Sequence, residues 1–210
     1  MRFTPDCLRL YLVTDRPMLR GKSLAELVHE AVAGGVTAVQ LREKEATGDE
    51  FYRLALQVKD VLAGTGVPLI INDRVDVALA AGADGVHLGQ RDLPLVAARR
   101  LVGDRMFIGL SVNTVEEVQQ AQAGGADYLG AGPAYATATK LDTDPELGPE
   151  GLRHLAAATP LPVVAIGGIH AATLPSLCGI GLAGVAVVSA ICAAADPRRA
   201  AANLLKVLGV

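Results

Sequence analysis

Short apolar runs alternate with longer amphipathic segments along the whole chain. Eight of the short runs are rich in aliphatic and β-branched residues, and in chain order they read LRLYLVT, TAVQLRE, VPLIIN, GVHLG, MFIGLS, YLGAGP, PVVAIGG and GVAVVSA. Several segments between them repeat apolar residues at helical spacing, namely SLAELVHEAVAGG, FYRLALQVKDVLAGTG, TVEEVQQAQAGG and PEGLRHLAAATP. Nearly unbroken apolar runs are typical of parallel strands that are covered on both faces. The pattern therefore predicts repeated βαβ units.

A weak internal repeat supports a circular arrangement of these units. Four segments end a predicted helix with glycine and then enter a strand, and they read AGGVTAVQL, AGADGVHL, AGGADYLGA and GLAGVAVV. They recur roughly two βα units apart, as expected for a closed ring of repeated βα units. We therefore predict the α/β class, with residues 1–210 forming a single-domain (β/α)8 TIM barrel. A doubly wound open sheet is the alternative, although no GxGxxG follows the first strand.

Composition and charge narrow the classes of function. The chain has 210 residues and a formal net charge of -3, so it lacks the basic footprint of a nucleic-acid-binding protein. The N-terminal apolar residues are interrupted by charges, which argues against a signal peptide, and no apolar stretch is long enough to span a membrane. Cys7, Cys178 and Cys192 are far apart in apolar surroundings and indicate buried thiols in a reducing compartment. We predict a cytoplasmic protein, and the sequence leaves open whether it forms a homo-oligomer.

The second predicted strand ends in the polar stretch TAVQLREK. Because alternate side chains of a strand share a face, Gln40, Arg42 and Lys44 lie on one side, and Leu41 and Glu43 lie on the other. Two interpretations compete for the two cations: a solvated strand end, or a site that holds an anion.

Other strand ends are polar or rich in glycine too. In a barrel of this class, function belongs at the C-terminal ends of the strands, so we expect the active site there. Asn72 and Asp73 end the third strand, Asp92 follows the fourth and Ser111 ends the fifth. Asp73 and Asp92 could each be helix N-caps, but as a pair beside cations they favour a shared Mg²⁺, which prefers carboxylate and phosphate oxygens.

The last strand ends and one long loop indicate phosphate binding. Gly168 and Ser189 follow strands seven and eight, the usual phosphate position in these barrels. The loop ATATKLDTDPELG is long for a compact barrel, and it supplies hydroxyl groups and the cation of Lys140. His87 is more typical of a structural strand residue than of a base. The pattern therefore favours a site for anions and a metal over a site with a nucleophilic side chain.

Taken together, these motifs resemble the thiamine phosphate synthase family. The resemblance runs from about Leu10 to Ile191, and it rests on YLVTDR, VQLREK, INDRVDVALAAGADGVHLGQRDLP, IGLS, GPAYATATK, VVAIGGI and GVAVVSAI. It implies a transferase that joins 4-amino-5-hydroxymethyl-2-methylpyrimidine diphosphate to thiazole phosphate. The products would be thiamine phosphate and pyrophosphate, formed by a Mg²⁺-assisted dissociative substitution without a nucleophilic side chain.

The resemblance also implies a role for each matching residue. It implies that Asp73 and Asp92 bind Mg²⁺. The residues expected to contact the pyrimidine diphosphate are Gln40, Arg42, Lys44, Asn72, Ser111 and Lys140. Those expected to contact the thiazole phosphate are Thr137, Thr139, Gly168, Val188 and Ser189. Leu41, Glu43 and Ala138 complete the predicted substrate-binding set, and the predicted catalytic residues are Arg42, Lys44, Ser111 and Lys140.

Two other functions stay open on sequence grounds. One is a thiazole tautomerase, a related barrel whose members tend to lose the metal aspartates and the threonine–lysine loop. The other is a phosphate-binding barrel without catalytic activity, which the fold alone does not exclude. The presence of Asp73, Asp92 and Lys140 favours the synthase over both.

Overall fold

Eight parallel strands close into a barrel in the computed structural model, which describes residues 3–137 and 145–209. The strands are β1 (Leu10–Val13), β2 (Ala38–Leu41), β3 (Leu69–Asn72), β4 (Gly85–Leu88), β5 (Phe107–Val112), β6 (Tyr128–Ala131), β7 (Val163–Ile166) and β8 (Gly184–Val187). Each strand pairs with the next in sequence, and β8 pairs with β1 to close the ring. The predicted TIM barrel is therefore confirmed, and the open sheet is wrong.

Helices pack around the outside of the barrel. They are α1 (Leu24–Ala33), α2 (Gly48–Leu62), α3 (Val75–Ala81), α4 (Leu95–Val102), α5 (Val115–Ala123), α6 (Gly148–Ala157), α7 (Ser189–Cys192) and α8 (Pro197–Val207). The four helical segments named from the sequence correspond to α1, α2, α5 and α6. Two of these begin with capping boxes, in which Ser23 and Thr114 pair reciprocally with a glutamate three residues later.

The connection between β7 and β8 departs from the regular pattern. It contains a short 3₁₀ helix, Leu174–Leu177, in place of an α-helix. Pro175 lacks an amide donor, and Gly179 and Gly181 adopt positive φ, so this segment cannot continue a helical ladder. Two helices, α7 and α8, follow β8.

The barrel interior is a separate core from the layer between strands and helices. It is filled mainly by Tyr11, Phe107 and Tyr128, together with aliphatic side chains of the other strands. Large rings fit there because glycine occupies inward positions of neighbouring strands. A Cβ atom on Gly85 would overlap the ring of Phe107, and one on Gly109 would overlap the ring of Tyr128.

Two further expectations can be compared with the structure. Among the described residues, no helix is both long and apolar enough to cross a membrane. Cys7 and Cys192 are buried as expected, but Cys178 is exposed, so that part of the prediction is wrong. Cys178 ends the 3₁₀ helix, in which Leu174 and Leu177 take the buried positions.

Candidate active site

Buried polar side chains gather at one end of the barrel. Within residues 3–137 and 145–209, three polar side chains are buried: Thr14, Gln40 and Asn72. Thr14 directly follows β1, Gln40 lies near the end of β2, and Asn72 ends β3. Burying a polar group costs free energy unless it finds a partner, so this concentration marks the C-terminal end of the barrel as a specialised region.

The two cations of β2 are partly enclosed at this end. The Arg42 amide donates to Oγ1 of Thr14 at 3.1 Å, and its guanidinium lies 4.0 Å from the carboxylate of Asp15. Nζ of Lys44 lies 2.5 Å from Oδ2 of Asp73. The Arg42 side chain is 23% exposed and that of Lys44 is 50% exposed. Arg42 is therefore not a freely solvated strand end, and both cations lie beside carboxylates of neighbouring loops.

The side chains of Leu41 and Glu43 lie on the opposite face of the same strand. Leu41 is completely buried between the barrel and the helices. Oε2 of Glu43 accepts from Nε of Arg16 at 2.7 Å, and Arg16 also contacts Glu50 on α2. Burial raises the pKa of Glu43, although the ion pair with Arg16 opposes that shift. The Glu43 side chain thus braces the end of β2 from outside the barrel.

The two aspartates predicted to bind Mg²⁺ come together. Asp73 follows β3 with a left-handed φ of 62°, and its amide donates to the carbonyl of His87 at 2.8 Å. Oδ2 of Asp92 accepts from the amide of Gly89 at 2.6 Å. Neither aspartate is a helix N-cap, because Arg74 precedes α3 and Pro94 precedes α4. The N-cap interpretation is therefore wrong for both.

The carboxyl groups of Asp73 and Asp92 are close enough to influence each other. Burial raises the pKa of Asp92, and its contact with the Asp73 carboxyl group raises it further, whereas the Gly89 amide and Lys44 lower it. Two carboxyl groups that repel each other provide a favourable place for a cation. In the part of the chain that the structure describes, no group of three or more His, Cys, Asp or Glu side chains could hold a metal ion. The pair nevertheless fits Mg²⁺, which typically binds one or two carboxylates and completes its shell with water and substrate phosphate oxygens.

Ser111 lies on the inward face of β5, below the same rim. Its Oγ is 3.0 Å from Nε2 of His87, and its carbonyl accepts from Nε2 of Gln90 at 2.6 Å. His87 projects into the barrel from β4 and also contacts the hydroxyl of Tyr128 at 2.9 Å. His87 therefore connects the rim to the interior.

The loops after β6 and β7 are packed closely together. The amide of Tyr135 donates to the carbonyl of Gly167 at 3.1 Å. Gly168 has a φ of 63°, and a Cβ atom there would come within 2.5 Å of the Ala136 carbonyl oxygen. The backbones of Gly168 and Ala136 therefore lie close together. Thr137 follows Ala136, is half-buried and lies near the end of β7.

The remaining predicted residues lie nearby or outside the described ranges. Val188 is half-buried, and Ser189 is exposed at the start of α7. Because β7 and β8 are paired, the loops that contain Gly168 and Ser189 begin side by side. Ala138, Thr139 and Lys140 lie outside the described residues.

Some residues at this end were not predicted from the sequence. Thr14 and Asp15 position Arg42, and both stand directly after β1, where the strand-end rule would have found them. Tyr11 and Tyr128 were missed because aromatic residues inside apolar strands look like ordinary core. The alternation of inward and outward positions is the signal that could have identified them.

Comparison with known proteins gives a consistent family. The family model described as thiamine monophosphate synthase matches residues 10–191. The thiamine-phosphate synthase of Albidiferax ferrireducens is 53% identical over 203 residues, which cover 97% of this chain and 93% of that protein. The corresponding protein of Syntrophomonas wolfei is 52% identical over 187 residues, covering 89% and 90%. The solved structure of a thiamine phosphate pyrophosphorylase from Pyrococcus furiosus has a TM-score of 0.89 at 38% identity, covering 98% of this chain and 97% of that one.

Proposed function

The chain belongs to the thiamine monophosphate synthase family, and on that premise we propose how its residues divide the work of the reaction. It is a transferase that joins the pyrimidine diphosphate to thiazole phosphate, forming thiamine phosphate and releasing pyrophosphate. The proposal concerns the metal, the substrate contacts and the course of the substitution. One observation carries it: two adjoining carboxyl groups and Lys44 meet beside the polar ends of β2 and β3.

We propose that Asp73 and Asp92 hold Mg²⁺. Their oxygens are the hard ligands that this ion prefers. Burial first, and then the contact with the Asp73 carboxyl group, raises the pKa of Asp92, and a cation between the two carboxyl groups would relieve their repulsion. When bound, Mg²⁺ would neutralise charge that develops on the departing diphosphate. Lys44 contacts Asp73 and is half exposed, so its ammonium can also meet a diphosphate oxygen as a point charge.

The pyrimidine diphosphate is assigned to the inward side of β2, β3 and β5. Arg42 lies beside Asp15 with its guanidinium partly exposed, and that planar group suits bidentate contact with phosphate. Gln40, Asn72 and Ser111 lie on the same side of the rim, where a pyrimidine ring could contact polar groups of the wall. Leu41 and Glu43 would act only through their main chain, because their side chains lie on the other face. Lys140 and Ala138 belong to this proposal by resemblance.

The thiazole phosphate is assigned to the loops after β6, β7 and β8. Gly168 leaves room for close backbone approach, and Val188 and Ser189 begin the adjoining loop. Thr137 stands at the edge of this region, and Thr139 is added by resemblance. In the proposed arrangement, the two substrates lie on opposite sides of the rim, with their reacting atoms between them.

The proposed chemistry is a dissociative substitution. The bond between the pyrimidine methylene carbon and the diphosphate oxygen breaks first, and Arg42 and Lys44 bind the departing group. The thiazole nitrogen then donates its electron pair to the methylene cation, so the side chains need not supply a nucleophile. Their tasks are to hold the substrates in line and to stabilise the charge that develops.

The metal assignment is tested by a mass-based assay of thiamine phosphate. The purified protein is incubated with both phosphorylated substrates, with Mg²⁺, with excess EDTA, and with EDTA followed by excess Mg²⁺. We expect product in the first and third reactions and almost none in the second. Full activity in EDTA would contradict the metal assignment without affecting the family assignment.

The assignment of the two substrates to opposite sides of the rim is tested with Arg42→Ala. Removing the guanidinium should raise KM for the pyrimidine diphosphate about tenfold or more, since a charge-assisted hydrogen bond to phosphate is lost. Arg100→Ala, which changes an exposed arginine on α4, is the matched control and should leave both KM values unchanged. If Arg42→Ala impairs only the thiazole phosphate, the two substrates have been assigned to the wrong sides.

Two finer predictions, the cellular location and the assembly state, are also part of this proposal. A cytoplasmic location is supported by the three cysteines, which form no disulfide with one another. Homo-oligomer formation stays a prediction, and size-exclusion chromatography with light scattering would test it.

A further inference from the structure

Five polar side chains form a continuous chain of contacts through the barrel interior. Nε2 of Gln40 lies 2.7 Å from the Tyr11 hydroxyl, which lies 2.9 Å from the Tyr128 hydroxyl. The Tyr128 hydroxyl is 2.9 Å from Nδ1 of His87, and Nε2 of His87 is 3.0 Å from Oγ of Ser111. The chain begins and ends at residues of the substrate side, and these four contacts join its two ends through three intermediate residues. These contacts join residues of five different strands, so the closed barrel is what brings them together.

Glycines of neighbouring strands make room for these rings. A Cβ atom on Gly109 would overlap the ring of Tyr128, and one on Gly130 would come within 3.0 Å of the His87 ring. Tyr11 and Tyr128 are also completely buried by the surrounding core. The rings therefore have little freedom to turn away from one another, so the contacts are held by packing as well as by hydrogen bonding.

The direction of each hydrogen bond follows from the donor at the first contact. An amide nitrogen can only donate, so the Tyr11 oxygen accepts from Gln40. Burial raises the pKa values of both tyrosines, so each keeps its hydroxyl proton. Each buried hydroxyl has a single proton, and leaving that proton without an acceptor costs free energy. Among the contacts of the described residues, the Tyr128 oxygen lies within reach of the Tyr11 proton, so Tyr11 donates to Tyr128. Tyr128 in turn donates to Nδ1 of His87.

The same reasoning fixes the last contact. If Nδ1 of neutral His87 accepts, its proton is on Nε2, which therefore donates to Oγ of Ser111. The Ser111 hydroxyl proton is then left to point towards a substrate. At the other end, the Gln40 amide nitrogen is committed to Tyr11, so its carbonyl oxygen is the group presented to the rim.

We propose that these five residues form one polarised hydrogen-bond chain that makes Gln40 an acceptor and Ser111 a donor towards the pyrimidine substrate. Tyr11, Tyr128 and His87 are positioning residues in this chain, since they act through its two ends. The inference rests on the proposed substrate assignment, in which Gln40 and Ser111 face the pyrimidine. It adds a basis for specificity, because reversing one hydrogen bond would require reversing every bond in the row.

This polarity matches an aminopyrimidine better than an oxopyrimidine. An amino group offers hydrogens to an acceptor and leaves neighbouring ring nitrogens as acceptors for a donor. An oxo group in its place would present a lone pair to the Gln40 carbonyl oxygen. A site with fixed donors and acceptors rejects such a mismatched analogue strongly.

The first test determines the direction of the hydrogen bonds at His87, and it requires no substrate. Long-range nitrogen–proton NMR on the labelled protein, at a pH where imidazole is neutral, identifies which His87 nitrogen carries the proton. The His87 signals are assigned by their loss in His87→Gln. We expect a protonated Nε2 and a hydrogen-bonded, unprotonated Nδ1. In Tyr128→Phe, the Nδ1 resonance should move towards that of an unbonded nitrogen. A proton on Nδ1 in the wild type would overturn the polarity.

The second test measures the preference of the site for an aminopyrimidine over an oxopyrimidine. The 4-amino and 4-oxo pyrimidine monophosphates are compared as competitive inhibitors, because they bind without reacting. We expect the wild type to prefer the amino compound about 100-fold. Tyr128→Phe, which keeps the ring and removes the hydroxyl, should reduce that preference about tenfold. Tyr52→Phe on α2 is the matched control and should keep the full preference. An unchanged preference in folded Tyr128→Phe would overturn the coupling.

The two tests separate failure of the chain from failure of the substrate assignment. If neither pyrimidine inhibits the wild type while the NMR result is as expected, the substrate assignment fails and the polarity stands. If Tyr128→Phe does not fold, Tyr11→Phe interrupts the same chain one contact earlier and is judged by the same two measurements.

Discussion

The two ends of the barrel use polar side chains in opposite ways. At the N-terminal end, Thr37, Asp84 and Asp127 each precede an even-numbered strand. Each accepts a hydrogen bond from an amide at or near the start of the preceding odd-numbered strand, at 2.9, 3.0 and 2.7 Å respectively. At the C-terminal end, Asp73 and Asp92 instead have their carboxyl groups beside each other. The first arrangement supplies hydrogen-bond acceptors to backbone amides of the strands, whereas the second keeps two carboxyl groups close together.

Arg99 makes the difference clearer. Its guanidinium donates to the carbonyls of Gly103, Met106 and Gly125 and to the carboxylate of Asp127, so its hydrogen-bonding capacity is used within the protein. The guanidinium of Arg42 at the other end lies 4.0 Å from the Asp15 carboxylate, at the outer limit of an ion pair. Polar groups that serve folding are thus satisfied by the chain itself, and those that serve binding keep capacity for a ligand.

The largest expected effect is on turnover, at the C-terminal end. Asp92→Asn keeps the size of the side chain and removes the charge that the proposed metal requires, so kcat should fall about 10³-fold. Asp127→Asn, the matched change at the N-terminal end, should leave kcat unchanged per folded molecule. Steady-state assays at saturating substrates and Mg²⁺ measure both. Wild-type kcat in Asp92→Asn would contradict the functional contrast between the ends.

A smaller effect is expected on the binding of one substrate. Gly168→Ala places a methyl group against the Ala136 carbonyl at a left-handed φ, so KM for the thiazole phosphate should rise about tenfold or more. Gly64→Ala, also at positive φ but with open space around it, tests the cost of backbone strain alone. Its KM values should match those of the wild type. Equal effects of the two changes would show that Gly168 matters only for folding.

A third expectation concerns stability at the N-terminal end. Asp127→Ala removes the acceptor of the Ile108 amide and the ion-pair partner of Arg99, so the free energy of unfolding should fall by about 2 kcal/mol. Urea unfolding measures that change, and an activity assay in the absence of urea should show normal kcat. If kcat falls in proportion to stability at all temperatures, the two ends are not functionally separate.

The smallest effect is on the pH dependence of stability. The folded protein holds the Asp92 proton more tightly than the unfolded chain, so stability falls as pH rises from the ordinary pKa of 3.8 through the raised value. Asp92→Asn lacks this titration and should gain stability relative to the wild type over that window. Because the group is partly open to solvent, we expect a gain below about 1 kcal/mol. Urea unfolding across pH, without metal, measures this gain. Parallel curves for the two proteins would contradict the raised pKa of Asp92, which burial causes first and the Asp73 carboxyl group second.

The internal repeat in the sequence has a physical explanation in this comparison. Thr37, Asp84 and Asp127 occupy equivalent places in three of the four repeated segments, and Ala183 occupies the fourth, where a side chain cannot accept a hydrogen bond. The repeat therefore indicated the barrel correctly. Its polar positions also contained the strand-start hydrogen bonds, although the sequence did not show which amides they would meet.

The sequence by itself determined the eight strands, their parallel arrangement and the face of each strand end, because these depend on local composition and a two-residue period. It also brought Asp73, Asp92, Arg42 and Lys44 to one rim. The tertiary structure alone decided that Glu43 pairs with Arg16 and that Tyr11 meets Tyr128. Those two tyrosines are 117 residues apart, so their contact exists only after the barrel has closed.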